Sequence, residues 1–282
     1  MSSASTSPAL ASFRANPLAI GGVLIIVLCV GLAAFADWLT PYPQDVGPIG
    51  DFAAINAPPS PTHWFGTDSI GRDLFTRIVY GYRLSLFMAV VVLAVAAPVG
   101  VVLGLTAGTI GGAPAYVIMR ATDVFLSIPP LVLAMSIMGF LEPTLTNGML
   151  AVTVMWWPWY ARLVYSVARS QAQEGYVLAA RVVGASTAHI LFREILPNCM
   201  PAVLTKLTLD VGFVVLMVAS LSFLGLGAQP PTPDLGSMVA DGAKYMPDAW
   251  WLTVFPAFAI LLIVLGFNLL GDGLREAYDA SR

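Results

Sequence analysis

Charge is scarce in this 282-residue chain, where Asp, Glu, Lys and Arg together make up 10% of the residues. Soluble domains carry about 25%, so an ordinary water-facing surface is excluded. Lysine is scarcer still: only Lys206 and Lys244 occur, and neither ends a GxxxxGK[ST] phosphate loop. The chain therefore has no nucleotide site of that type. A net charge of −3, with no basic stripe, excludes a nucleic-acid surface. Two cysteines, Cys29 and Cys199, stand far apart without CxxC or His/Cys spacing, which points to small buried residues and not to a disulfide or metal site. Neither an HExxH helix nor a Gly-x-Ser-x-Gly elbow is present, so no catalytic residue is assigned.

What the chain has instead is apolar surface, 58% of its residues against a usual fraction of about 45–50%. A bilayer core of about 30 Å takes about 20 apolar residues in a helix. Six stretches meet or approach that length, at 18–36, 84–108, 122–141, 144–161, 202–225 and 250–270. Pro98, Pro129, Pro130, Pro158 and Pro256 fall within or beside them, as membrane helices tolerate. The expected fold is all-α and polytopic, with a loop of 166–200 between the fourth and fifth spans. "AFA" at 34–36 resembles a signal-peptidase site, but the run before it exceeds a usual h-region of about 7–15 residues, which favours a retained helix.

With the N-terminus inside, inner segments hold Arg14, Arg120, Arg162, Arg169, Arg181, Arg193, Arg275 and Arg282, and outer segments hold Arg72, Arg77, Arg83 and Lys244. The positive-inside bias then places both termini in the cytoplasm: 1–17 is a cytoplasmic segment, 37–83 an outer loop, 84–271 a core of five spans and 272–282 a cytoplasmic tail. The two histidines, His63 and His189, fall on opposite sides and form no catalytic pair. In the outer loop, Asp68 is placed to cap an amphipathic helix from Ser69 to Tyr82, with an Asp73–Arg77 ion pair.

The inner stretch "GYVLAARVVGASTAHILFREILPN" (175–198) is unusual for its mixture of charge and helix formers. Helix is expected from Gly175 until Gly184 interrupts it, then a second short helix capped by Ser186, with Pro197 and Pro201 marking the exit. Ala179, Ala180 and Gly184 leave room for another protein's surface, while Arg181, Arg193 and Glu194 supply orienting charge. A solvated loop with helical propensity is the alternative.

The passage 179–198 resembles the EAA loop of ABC-importer permeases: Glu-Ala-Ala, three residues, Gly, nine residues, Ile, any residue, Leu-Pro. Ala179, Ala180, Gly184, Leu196 and Pro197 fall in register. "HWFGTDSIGRDLFTRIVYGYRLSL" (63–86), "SLSFLGLGAQPPTP" (220–233) and "FNLLGDGLREAYD" (267–279) resemble the second permease subunit of dipeptide, oligopeptide and nickel importers. Leu178 stands where the family pattern has glutamate, and Glu194 where it has isoleucine. Glu174, one turn earlier, is the candidate replacement for the missing acid.

The resemblance implies an inner-membrane pore subunit paired with a second related permease. It implies two cytoplasmic ATPases, which bind ATP and magnesium while this chain binds no cofactor, and an extracytoplasmic substrate-binding protein. Ala179, Ala180, Arg181, Gly184, Ala185, Leu196 and Pro197 would be the ATPase-coupling residues, and Arg72 and Arg83 would face the docking binding protein. The cargo implied is a di- or oligopeptide, with nickel or a metal chelate as the alternative.

A secondary transporter or channel is the rival class, and its ionisable candidates inside a span are Lys206 and Asp210, four residues apart on one face. They form a neutralised pair, or Asp210 faces a translocation path and meets a cationic group. Trp156 and Trp159 are read as an aromatic belt or as a path wall. Ser222, beside the Gly-Pro corner "LGLGAQPPTP", is the remaining path candidate.

Overall fold

The computed structural model describes residues 16–279. Nine main helices carry the architecture: α1 Pro17–Ala34, α2 Leu74–Ile110, α3 Gly112–Ser127, α4 Pro130–Met138, α5 Leu145–Gln171, α6 Gly175–Val182, α7 Leu196–Phe223, α8 Leu235–Ala243 and α9 Trp251–Asp279. Among the described residues the only β pairing is an isolated bridge between Thr67 and Asp73.

Local chemistry sets the helix starts. The Asn16 side chain accepts hydrogen bonds from the Leu18 and Ala19 N–H groups, with Pro17 at the first helical position. Thr144 caps α5 through Asn147, and Asp234 caps α8 through Ser237.

The start of α2 differs from expectation. No amphipathic helix begins at Ser69; the helix starts at Leu74, is capped by Asp73 through the Thr76 N–H, and runs unbroken for 37 residues. Gly71, at φ +85°, turns the chain sharply just before it, and a Cβ there would collide with the Asp51 carbonyl oxygen. Asp68 therefore falls inside a turn, where it accepts from the N–H groups of Ile70 and Arg72, each at 3.0 Å. The expected Asp73–Arg77 pair is replaced too. Asp73 is committed to His63 at 2.9 Å, and Arg77 turns to Asp68 at 3.4 Å.

The third expected span is broken. α3 and α4 meet at 90°, at Ile128 and the two prolines that follow. Proline lacks an N–H and disfavours helical backbone in the residue before it, and Ile128 and Pro129 are accordingly extended, at ψ 131° and 130°. Among the described residues, four helices are long and apolar enough to cross a bilayer: α1, α2, the helix Thr187–Phe223 and Trp251–Tyr278. A fifth is added if the bent pair counts as one span. Six were expected. α5 has the length, 27 residues, but its polar residues, Arg162 and Arg169 among them, keep it out of that set.

The tightest helix pair is α2 on α5. Gly100, Gly104 and Gly108 recur every fourth residue, and a Cβ on each would run into the backbone of α5 at Trp157, Ala161 and Tyr165. Small-residue stripes of this kind let membrane helices approach backbone to backbone. At the other side of the bundle α1 lies on α9, where a Cβ on Gly22 would meet the Gly266 carbonyl and the Leu270 amide. Between them, α7 packs on both α5 and α9.

Candidate functional site

The 175–198 stretch folds as a short helix hinged to a long one. α6 ends where Gly184 adopts φ +83°; the Gly184 N–H donates to the Arg181 carbonyl and the Ala185 N–H to the Ala180 carbonyl, at 3.1 and 3.0 Å. That double closure is a Schellman cap, which needs a left-handed residue and so favours glycine. Ser186 then caps the next turn by accepting from the His189 N–H at 3.2 Å.

The second expected helix does not end at Pro197 or Pro201. It widens into a π-helical segment, Ile190–Ile195, and passes directly into α7 with both prolines inside the helix. A wide turn before Pro197 relieves the clash its ring makes with the carbonyl four residues back.

α6 is pinned at its inner side and bare at its outer one. Val177 is fully buried, and the Tyr176 hydroxyl donates to Gln171 at 2.7 Å and accepts from Asn198 at 3.0 Å, tying α6 to both flanking helices. Leu178, Ala179, Arg181, Val182, Val183 and Gly184 are exposed, Val182 at 87%. Ala180, Ala185 and Leu196 pack against the core, and Pro197 is exposed. Glu194 turns inward to His189 at 3.2 Å, while Glu174 sits exposed before α6 with no capping bond.

Inside the bundle, one carboxylate gathers groups from two helices. The Lys206 ammonium donates to Asp210 Oδ1 at 3.0 Å, and the Trp156 indole N–H donates to Oδ2 at 3.0 Å. Lys206 also lies over the rings of Trp159 and Tyr160, at 5.7 and 5.5 Å. Trp156 is buried at 7% exposure and so is no part of an interfacial belt; Trp159 is exposed. Asp210 and Lys206 border a cavity of about 420 Å³ that reaches Leu163, Pro201, Arg275 and Tyr278.

The remaining candidates lie elsewhere. Ser222 is buried in the last turn of α7 beside Asp234. Burial pushes the Asp234 carboxyl above the usual carboxylate range, against a hydrogen bond from the Ser237 N–H at 2.9 Å that pulls it down. Arg72 is held within the outer loop by Asp68 and by the Gly47 carbonyl, at 2.7 and 3.1 Å. Arg83 donates to the Ala33 carbonyl at 2.9 Å and pairs with Asp37, so it secures the end of α1. The Tyr80 hydroxyl first, and Arg83 second, hold the Asp37 carboxyl below its ordinary value.

The sequence reading gave Arg77 only a local pair with Asp73, and missed the contacts it makes across the fold. It is 4% exposed and donates to the Asp45 and Pro231 carbonyls at 3.2 and 3.3 Å, joining the outer loop to the corner after α7. Its contacts are with residues distant in sequence, so its position on a helix just ahead of an apolar run was the only signal.

A helical bundle with broken and continuous apolar helices, long enough to cross a bilayer several times, is the architecture of a multi-pass membrane protein. Residues 100–282 match the family described as binding-protein-dependent transport system inner membrane component, and residues 7–59 match the N-terminal TM domain of oligopeptide transport permease C. The chain belongs to the family of binding-protein-dependent transport system inner membrane components, and so is a multi-pass inner-membrane protein. It is 43% identical to the probable D,D-dipeptide transport system permease protein DdpC of Escherichia coli (strain K12), covering 94% of this chain and 88% of that one. It is 40% identical to the dipeptide transport system permease protein DppC of the same organism, over 95% and 90%. Among solved structures, the inward-facing MetNI methionine ABC transporter shares the fold, with a TM-score of 0.56 at 22% identity over 73% of this chain and 96% of that one.

Proposed function

We propose that this chain forms half of the translocation pore of an ATP-driven importer for di- or oligopeptides. A second, related permease supplies the other half. Two cytoplasmic ATPases bind ATP and magnesium, and an extracytoplasmic binding protein delivers the substrate. Support for the peptide cargo comes from the relatives, dipeptide and D,D-dipeptide permeases at 40–43% identity over most of the chain. Both termini lie in the cytoplasm in this reading, as the arginine bias requires; Arg14 and Arg282 fall outside the described residues.

The observation that carries the coupling role is the form of α6. Its outer side presents Leu178, Ala179, Arg181 and Val182 to solvent, while Val177 is buried and Tyr176 ties the inner side to the helices on either flank. A helix so held moves as a rigid lever with α7. When ATP closes the ATPases, α6 follows, and the attached helices exchange one open face for the other. Ala180, Ala185, Leu196 and Pro197 brace that lever, and Gly184 sets its angle.

In the same reading, the cavity beside Asp210 belongs to the path, with Trp156 behind its carboxylate and Trp159 beside Lys206, and Ser222 belongs to the outer corner. Arg72 and Arg83 hold the shape of the outer face on which the binding protein docks.

The test is uptake of a labelled dipeptide, and substrate-stimulated ATPase activity, in the reconstituted complex. Val182→Asp places a charge on the bare side of α6, and Gly184→Val opposes the left-handed hinge. Each is expected to cut both activities about tenfold or more with assembly intact. Survival of both activities in a well-assembled complex would exclude the coupling role.

A further inference from the structure

At the turn between α2 and α3 a cleft of about 390 Å³ opens between α2, α3 and α5. Two matching side-chain pairs face it. On α3, Arg120 lies four residues after Tyr116 with its guanidinium 5.5 Å from the ring centre; on α5, Arg169 lies four residues after Tyr165 at 5.8 Å. Arg169 also donates to the Tyr165 hydroxyl at 2.7 Å. The cleft's remaining wall is the small-residue end of α2, where Gly108 brings the backbones of α2 and α5 together.

The local charge is strongly positive. Arg120 is 3.6 Å from Asp123, and Arg162 takes the same carboxylate in a close ion pair. Asp123 is thus shared by Arg120 and Arg162, and the cleft's own lining holds two cations, Arg120 and Arg169, and no acid. No side chain caps α3 at Gly111, so the positive end of its dipole adds to the same field. Arg120 is 65% exposed, so neither burial nor its long contact with Asp123 exhausts its donors.

We propose that this cleft binds a phosphate group, supplied by the head group of an anionic phospholipid. Two guanidinium forks held against tyrosine rings present several N–H donors in a geometry suited to phosphate oxygens. Depth favours a lipid source. Tyr116 and Arg120 stand about 6 and 12 Å along α3 from its start, and Arg169 and Tyr165 about 3 and 9 Å from the end of α5. A head-group layer is about 5–7 Å deep on each side of the hydrocarbon, so the cleft spans its boundary. Cationic pockets between membrane helices at that level attract anionic head groups. Placing the lipid in the inner leaflet rests on the orientation proposed above; binding of a phosphate group does not.

The full chain in neutral detergent is titrated with phosphatidylglycerol, phosphatidylcholine or inorganic phosphate while thermal unfolding is followed. Saturating phosphatidylglycerol is expected to raise Tm by about 5 °C, with phosphatidylcholine and inorganic phosphate far weaker. The pair R120Q/R169Q loses the shift, R120K/R169K keeps part of it, and R193Q, which lies outside the cleft's lining, keeps all of it. If the glutamine pair does not fold, R120Q and R169Q singly carry the test, each weakening the lipid's half-maximal concentration about tenfold. A shift given by inorganic phosphate and abolished by the same variants upholds the phosphate site with a soluble anion as its source. No shift with phosphatidylglycerol, or a full shift in the glutamine variants, overturns the proposal. Neither transport nor partner subunits enter the measurement, so its failure is distinct from failure of the importer reading.

Discussion

Trp156 on α5 and Asp210 on α7 meet through an indole N–H to carboxylate hydrogen bond of 3.0 Å, and Lys206 closes the other carboxylate oxygen at the same distance. Asp210 is 2% exposed, so its charge is held by these two partners and not by water. Removing one partner of a buried pair costs about 3–5 kcal/mol, whereas removing both is far milder. D210N, which strands the Lys206 charge, is therefore expected to lower Tm more than the double variant K206M/D210L. A double variant at least as unstable as D210N would show that the pair is not the stabilising unit. Uptake assays add a second reading: equal transport loss in D210N and in the double variant, with normal assembly, assigns Asp210 to the path.

The glycine stripe of α2 yields a contrast between two identical substitutions. A Cβ at Gly104 would strike the Ala161 carbonyl of α5, while at Gly21 nothing lies within 4 Å. Overpacking costs about 1–3 kcal/mol, but Gly→Ala in an open helix gains about 0.5–1 kcal/mol. G104A should lower Tm and G21A should leave it unchanged or raise it. The same sign for both would mean that α2 and α5 part easily.

The all-helical, membrane-spanning character was legible because long apolar runs have few other uses, and the hinge at Gly184 because a lone glycine after a helical run marks a left-handed stop; the number of spans was not. The start of α2 was not. Asp68 and Asp73 are both competent caps by sequence, and the choice is made by the turn at Gly71 against the Asp51 backbone, a contact that local pattern does not contain. The break at Ile128 was written in the two prolines, yet an apolar run over it reads as one span. Lys206 and Asp210 follow from four-residue spacing, but Trp156 joins them across a helix pair. Its neighbours in sequence pointed to a lipid interface instead.

Arg77 links two segments that are far apart in the chain. Its guanidinium reaches the Asp45 and Pro231 carbonyls, with Asp68 at 3.4 Å, while the residue is 4% exposed. Removing it leaves the two carbonyls without their donor and takes one of two cations from Asp68, at a cost of about 1–3 kcal/mol. R77A is expected to speed hydrogen exchange in 45–68 and in 225–235 together. Acceleration confined to one of the two segments would show that Arg77 does not join them.

Asp234 makes the outer corner sensitive to pH. The residue is 1% exposed, and burial raises its carboxyl pKa in the folded chain despite the Ser237 hydrogen bond. A carboxyl whose folded-state pKa lies above its unfolded value adds stability below the unfolded value and loses it as pH rises through the folded one. Wild-type stability should therefore decline as pH rises from about 4, the ordinary aspartate value, toward neutrality. D234N keeps an oxygen that can accept from the Ser237 N–H but carries no charge to desolvate. It should flatten this limb of the profile and match or exceed wild type at neutral pH. Thermal unfolding of both proteins across that range decides the matter: a parallel decline in the two would place the titrating group elsewhere, and a D234N less stable at neutral pH would mean that the ionised cap is worth more than its burial costs.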